Sequence, residues 1–253
     1  MLAGSRPERD VFAEAHGVAL KALIPIHGRP MVAHPVVALL AAPEVARVTV
    51  LAQQPEAIAA ALPADRRLVV GRSAMTIAAT IEALIANPAT RFPLLVTTAD
   101  HALLDPAMIA YFCARAAGAD VAIGLVERRA LMRRLPHGKR TWIGFRGGAY
   151  SGANLFAVGG RNVGEAVALW RSVEQDRKKG WRLLAAFGTM NLLGAALRVR
   201  TLRQTLDAIG RRLHLDIRAV EMTDPLAAVD VDKPADHALV SAILAKRPDT
   251  RRS

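Results

Sequence analysis

The sequence predicts an α/β protein built on a mainly parallel sheet. Short apolar runs alternate with longer stretches of helical periodicity. The runs are separated by helix-length intervals, the spacing of strand–helix–strand units. Three of them, "RVTVLAQQ", "LVVGRS" and "LLVTTADH", turn from apolar to polar at their carboxyl ends. Ligands collect at that end of a parallel sheet, so chemistry is expected there.

The chain opens on "MLAGSR", where Met1 to Gly4 leave no room for a full strand. Either the strand begins upstream of Met1 or a turn hangs on a stub. Ala3, Gly4 and Ser5 would form a turn whose backbone N–H groups wrap a phosphate, with Arg6 neutralising it, or the turn is an ordinary strand-to-loop connection. The glycines of a dinucleotide fingerprint or a P-loop are absent. Lys21, alone before the apolar run "ALIPI", is either a solvated charge or a second ligand of the same phosphates. "ALIPI", "VARVTVLAQ", "RRLVVG", "FPLLVTTAD", "ADVAIGLV" and "GANLFAV" read as strands. "PMVAHPVVALLAA", "AMTIAATIEALIAN" and "DPAMIAYFCARAAG" read as amphipathic helices between the early ones. Asp100 ends a buried strand, where an aspartate is favoured as a helix cap or turn residue; Asp105, before Pro106, fits the helix-capping role better. Residues 177–217 are apolar and basic at helical spacing. They pack on the core or on a homodimer partner, or lie as an interfacial helix on an anionic membrane. Residues 246–253 read as a basic disordered tail.

Composition sets the limits. With 253 residues, 52% of them hydrophobic, and a mean hydropathy of +0.22, the chain can bury a sizeable core. A single domain over 1–245 is expected. No run approaches the roughly 18 apolar residues of a membrane span, and no basic-then-apolar leader opens the chain, so a soluble cytoplasmic protein is expected, with peripheral membrane contact through 177–217. The single cysteine, Cys113, reads as a small buried hydrophobe and excludes a disulfide or a cysteine-based zinc site. A net charge of +12 favours anionic partners: phosphorylated small molecules or an anionic membrane, unless it is simply a basic surface. Nucleic acid is not expected, because aromatics are only 4% and no reading module appears.

Three ordered motifs carry a family resemblance. "LAGSR…KALIPIHGRPMV" resembles the signature LAGG-x-S-x-R-M-G…K-x-L-x-x-x-G-x-P-L of the MobA-like nucleotidyltransferases of GT-A-like fold. "LLVTTADHALLDP" is similar to the family's T-x-D-x-P-L strand motif, and "AAVDVDKPADHALV" to its closing D-[IV]-D-T-P-E-D-L motif. The likeness covers residues 1–125 and 225–245. It departs where Ser5 replaces the second glycine, where the loop between Arg6 and Lys21 lengthens, and where the chain starts inside the first strand.

The resemblance implies a Rossmann-like three-layer α/β/α fold and transfer of a nucleotidyl group from an NTP, CTP or GTP ahead of others, to a phosphorylated sugar or polyol. Molybdenum-cofactor guanylyl or cytidylyl transfer is the alternative. A non-catalytic nucleotide-binding regulator is the alternative of another class, although Arg6, Lys21, Asp100 and Asp230 are all present. The cofactor implied is Mg²⁺, or Mn²⁺ in its place, held by Asp100 with Asp230 or Asp232. Asp230 matches the ligating position; Asp232, two residues on, shares its face. Arg6 and Lys21 would hold the triphosphate and stabilise developing charge, with Leu2 to Ser5 around the nucleotide. Thr76 matches the position that contacts the nucleobase, or is a helix cap. Residues 126–225 would carry the acceptor side, where Lys139 and Thr141 bind the acceptor phosphate, or are simply solvated, and Asn154 matches the acceptor strand.

Overall fold

A computed structural model describes residues 1–4, 10–136, 138, 140–175 and 200–247. In chain order its elements begin with α1 (Val11–Glu14), β1 (Pro25–Ile26), β2 (Arg29–Pro30), α2 (Ala33–Ala41), β3 (Val48–Ala52), α3 (Pro55–Ala59), β4 (Leu68–Arg72), α4 (Ile77–Ala86) and β5 (Leu94–Val96). They continue with α5 (Pro106–Ala116), β6 (Val121–Glu127), α6 (Arg128–Arg134), β7 (Ile143–Phe145), β8 (Gly148–Val158), α7 (Gly164–Gln175), α8 (Leu202–Leu213), β9 (Ile217–Glu221) and α9 (Pro234–Ala245). The chain divides into two compact units: Met1–Ser73 with Thr97–Ala110 and Val229–Ser253, and Ala74–Val96 with Tyr111–Ala228.

The first unit is organised around β3 and β4, which pair in parallel from Val48↔Leu68 to Ala52↔Arg72. The opening stub completes this layer: Leu2 bridges Leu51 on one side and Thr98 on the other, both in parallel. Its amide donates to the Thr97 carbonyl at 2.8 Å and its carbonyl accepts from the Ala99 amide at 2.9 Å. One row of ladder therefore ties the first residues to the segment that carries Asp100. "ALIPI", expected as a strand, instead supplies a 3-10 turn over Lys21–Leu23 and the two residues of β1. The chain reverses at once through His27 and Gly28, whose φ values of 46° and 77° are those a two-residue hairpin turn demands. Ile24, Ile26, Val32, Ile58 and Leu103 are fully buried in this unit. Asp105 caps α5, its carboxylate accepting from the Met108 amide at 2.9 Å while Pro106 starts the helix.

In the second unit the strand order is β5-β8-β6-β9, with β7 also paired to β8. β6 and β9 are parallel, whereas β8 runs antiparallel to β5, β6 and β7. The sheet is mixed here because a hairpin through Arg146 and Gly147 (φ 98°) returns the chain directly, where a parallel pairing needs a crossover. A bulge interrupts the β6–β8 ladder: Ile123 pairs with Phe156 but Leu125 with Gly152. Asn154, at its centre, is left-handed at φ 49°. Gly124 faces the bulge, and a Cβ there would lie 3.1 Å from the Leu155 Cβ. Ile81, Phe112, Leu131 and Leu155 are completely or almost completely buried in this unit. Cys113, expected to be buried, is only half-buried, because its neighbour Phe112 takes the inward position on α5.

Of the segment 177–217, residues 177–199 lie outside the described residues, as does the tail from residue 248. Among the described residues no helix is long and apolar enough to cross a membrane.

Candidate active site

Lys21, Asp100 and Asp232 meet at one point of the first unit, although they are far apart in the chain. The Lys21 Nζ lies 2.6 Å from Asp232 Oδ1 and 3.3 Å from Asp100 Oδ2. Each arrives by a separate local device. Lys21 opens the 3-10 turn, whose Ile24 amide donates back to the Lys21 carbonyl at 3.1 Å. Asp100 follows the Leu2-paired segment, and the Thr98 hydroxyl donates to its Oδ1 at 2.5 Å, leaving Oδ2 for the lysine. Asp232 is brought in because the Val231 amide donates to the Asp100 carbonyl at 3.1 Å, and its own amide donates to the Asp236 carboxylate at 3.2 Å.

Burial alone would weaken the charge on Lys21, but Asp100 and Asp232 outweigh it and hold its pKa above the ordinary lysine value. The ammonium is thus firmly charged. The lysine and Asp100 side chains are 22% and 25% exposed and Asp232 62%, so the cluster opens to solvent on the Asp232 side. Asp230 is half-buried, two residues before Asp232 in the same extended segment. Among the described residues no group of three or more His, Cys, Asp or Glu is gathered closely enough to hold a metal. The convergent carboxylates are the pair Asp100 and Asp232.

Leu2 and Ala3 are buried in the sheet and Gly4 is exposed just past it. The Gln53 amide lies beside Gly4, 3.4 Å from where a Cβ would stand. Ser5, Arg6 and Lys139 lie outside the described residues. Three other expected residues belong to the second unit. The Thr76 hydroxyl accepts from the Ala79 amide at 3.1 Å and caps α4. Thr141 is exposed ahead of β7, and Asn154 occupies the β8 bulge.

Residues 2–187 match the family of the MobA-like NTP transferase domain. The chain belongs to this family. It is a nucleotidyltransferase, and its α/β fold is the one the three sequence motifs imply. Among solved structures, a hypothetical transferase from Thermus thermophilus is 28% identical with a TM-score of 0.77, over 93% of this chain and 98% of that one. 4-Diphosphocytidyl-2C-methyl-D-erythritol synthase from Anaerococcus prevotii DSM 20548 is 10% identical with a TM-score of 0.58, over 89% of this chain and 93% of that one. CMP:2-keto-3-deoxy-manno-octonic acid synthetase, solved with CTP, is 16% identical with a TM-score of 0.57, over 96% and 97%. No curated protein sequence matches the chain.

Within this MobA-like nucleotidyltransferase, two side chains went unnoticed in the sequence. Thr98 aims Asp100, and its signal was the threonine of the T-x-D triplet in "VTTAD". Gln53 flanks Gly4, and its signal was only the polar end of "RVTVLAQQ".

Proposed function

We propose that this nucleotidyltransferase uses Lys21, Asp100 and Asp232 to join a nucleotidyl group from CTP or GTP to a phosphorylated small-molecule acceptor. An acceptor phosphate oxygen attacks the α-phosphorus of the NTP, the bond to the β-phosphate oxygen breaks, and pyrophosphate leaves. No general base is required, because the attacking phosphate is already ionised at neutral pH. The observation that carries the reading is the Lys21 ammonium seated against two carboxylates at the carboxyl side of the sheet. Two carboxylates converging on one cation form the donor set for a divalent ion shared with substrate phosphates. Asp100 and Asp232, with Asp230 beside them, would hold Mg²⁺ or Mn²⁺. Such an ion, when bound, neutralises phosphate charge as it develops on the leaving pyrophosphate.

This chain's own residues do the remaining work. Lys21 places a compact positive charge against the triphosphate, and Arg6 is assigned to the same phosphates. Gly4, exposed just past the sheet, would let a phosphate approach its backbone beside the Gln53 amide, and Leu2, Ala3 and Ser5 are assigned to the nucleotide with it. Thr76 is assigned to the nucleobase side, and Lys139, Thr141 and Asn154 to the acceptor. CTP is favoured over GTP because two structural neighbours are, by name, a CMP-sugar acid synthetase solved with CTP and a cytidylyl-type synthase. The test is incubation with Mg²⁺, each NTP in turn and a library of phosphate monoesters, with pyrophosphate as the readout. Release with CTP and a sugar or polyol phosphate supports the reading. Release only with GTP and a pterin phosphate would shift it to molybdenum-cofactor guanylylation.

Arg211 on α8 lines an open recess of about 360 Å³ with Arg146, Arg200, Gln204 and Asp207, and the exposed Arg203 and Arg212 lie on the same helix; this predominantly basic surface supports a peripheral contact with anionic membrane.

A further inference from the structure

We propose that the Lys21 ammonium is an internal counter-ion: it occupies the cation seat between Asp100 and Asp232, so that a divalent ion takes this seat only when the lysine leaves it. This deepens the nucleotidyl-transfer reading and rests on it, since a bound triphosphate is what gives the lysine another anion to reach.

The seat is built from both sides. Thr98 holds Asp100 Oδ1 at 2.5 Å, so Asp100 cannot turn Oδ2 away from the lysine without losing that bond. On the other side, Asp232 is fixed at its backbone by the Asp236 carboxylate and points Oδ1 at the same Nζ, 2.6 Å away. The lysine thus supplies a cation to both carboxylates at once. A divalent ion on the same two carboxylates would stand within contact distance of the ammonium. Like charges that close, in a partly buried site, repel strongly. The two cations therefore compete.

The lysine is suited to leave. Its backbone is fixed by the 3-10 turn, but its four-carbon stem carries rotatable bonds that let Nζ swing while the turn stays in place. A triphosphate presents more negative charge than the carboxylate pair. Once Lys21 moves to it, the carboxylates are released to a metal that also meets the phosphates. By linkage, nucleotide then raises metal affinity and metal raises nucleotide affinity by the same factor. The protein would thereby avoid loading metal without substrate.

The experiment measures Mn²⁺ binding by the electron paramagnetic resonance of free Mn²⁺, in the absence of nucleotide, for the wild-type chain, Lys21→Met, and Lys21→Met combined with Asp100→Asn. Methionine keeps the length of the stem and removes the charge; circular dichroism confirms that each variant is folded. The counter-ion account predicts that Lys21→Met binds Mn²⁺ about 10-fold more tightly than wild type, a coupling of ordinary size, and that adding Asp100→Asn removes the gain. Equal or weaker Mn²⁺ binding by Lys21→Met overturns the proposal, as does a gain that survives Asp100→Asn. Pyrophosphate release by the wild-type chain is read separately. Release without any Mn²⁺ gain in Lys21→Met sinks the counter-ion alone. A gain with no release from any NTP supports the counter-ion and sinks the nucleotidyl-transfer reading.

Discussion

Asp100 is aimed, and the chemistry assigned to it depends on that aim. One oxygen is held by Thr98 and the other faces Lys21, so a freely rotating carboxylate has become a directed one. Lys21 is the complementary half. Removing it by Lys21→Ala should lower turnover about 10²-fold, the size expected when a preorganised charge-stabilising group is lost. Lys21→Arg should recover little, because a planar fork cannot replace a compact ammonium against crowded phosphates. Parallel kcat measurements on the two variants check this, and full activity in Lys21→Ala would make the lysine a bystander. Much of this site was legible in the sequence. Lys21, Asp100 and Asp232 each sit in an ordered motif, so their convergence followed from the motifs. Asp230 was preferred over Asp232, yet it is Asp232 that the structure places against the lysine. Two residues sharing one face of an extended segment cannot be ranked by spacing alone.

At the scale of elements, the strands with clean apolar runs were found where the pattern put them: β3, β4, β6 and β8 all coincide with predicted runs. Those shaped by turns or by non-local pairing were not. β1 is cut short by the His27–Gly28 turn, and β9, "IRAVE", carries Arg218 and Glu221, so its apolar signal is too broken to read. The antiparallel course of β8 is decided by a hairpin and escapes a rule based on helical crossovers. Arg161 illustrates a contact of this non-local kind. Its guanidinium donates to the carbonyls of Ile85, Asn87, Pro88 and Thr90 and lies 5.2 Å from the Phe92 ring centroid, closing the carboxyl end of α4 and the loop after it. Arg161→Ala should destabilise the protein by about 1–2 kcal/mol, since several carbonyls lose a charged donor at a solvent-exposed position. Denaturant unfolding measures it. An unchanged midpoint would mean that water replaces the guanidinium without loss.

Over the whole molecule, pH and salt are the levers. His34 is half-buried on α2; burial is the largest influence on it and lowers its pKa, and the Ile26 carbonyl, 2.9 Å from Nε2, only partly offsets this. Neutral in the fold, it takes up a proton more readily once unfolded. Its contribution to stability is therefore complete above the ordinary histidine pKa, about 6.5, and is lost as pH falls below it. His34→Gln should shrink the drop in unfolding midpoint between neutral and mildly acidic buffer; an identical drop in both proteins would exclude His34 as its source. The net charge of +12 and the arginines on α8 predict a second global response. The protein should sediment with anionic liposomes at low salt and be released at high salt, as screening shortens the reach of surface charge. Equal recovery with neutral liposomes would remove the membrane from the account.

One measurement bears most directly on the assignment of catalysis to the Lys21, Asp100 and Asp232 cluster: pyrophosphate release from the wild-type chain and from Asp100→Asn, with Mg²⁺, NTP and a phosphate-monoester acceptor. The account predicts steady release by the wild-type chain and none above background by Asp100→Asn, whose circular dichroism remains that of the folded protein. Wild-type rates in a folded Asp100→Asn would contradict it.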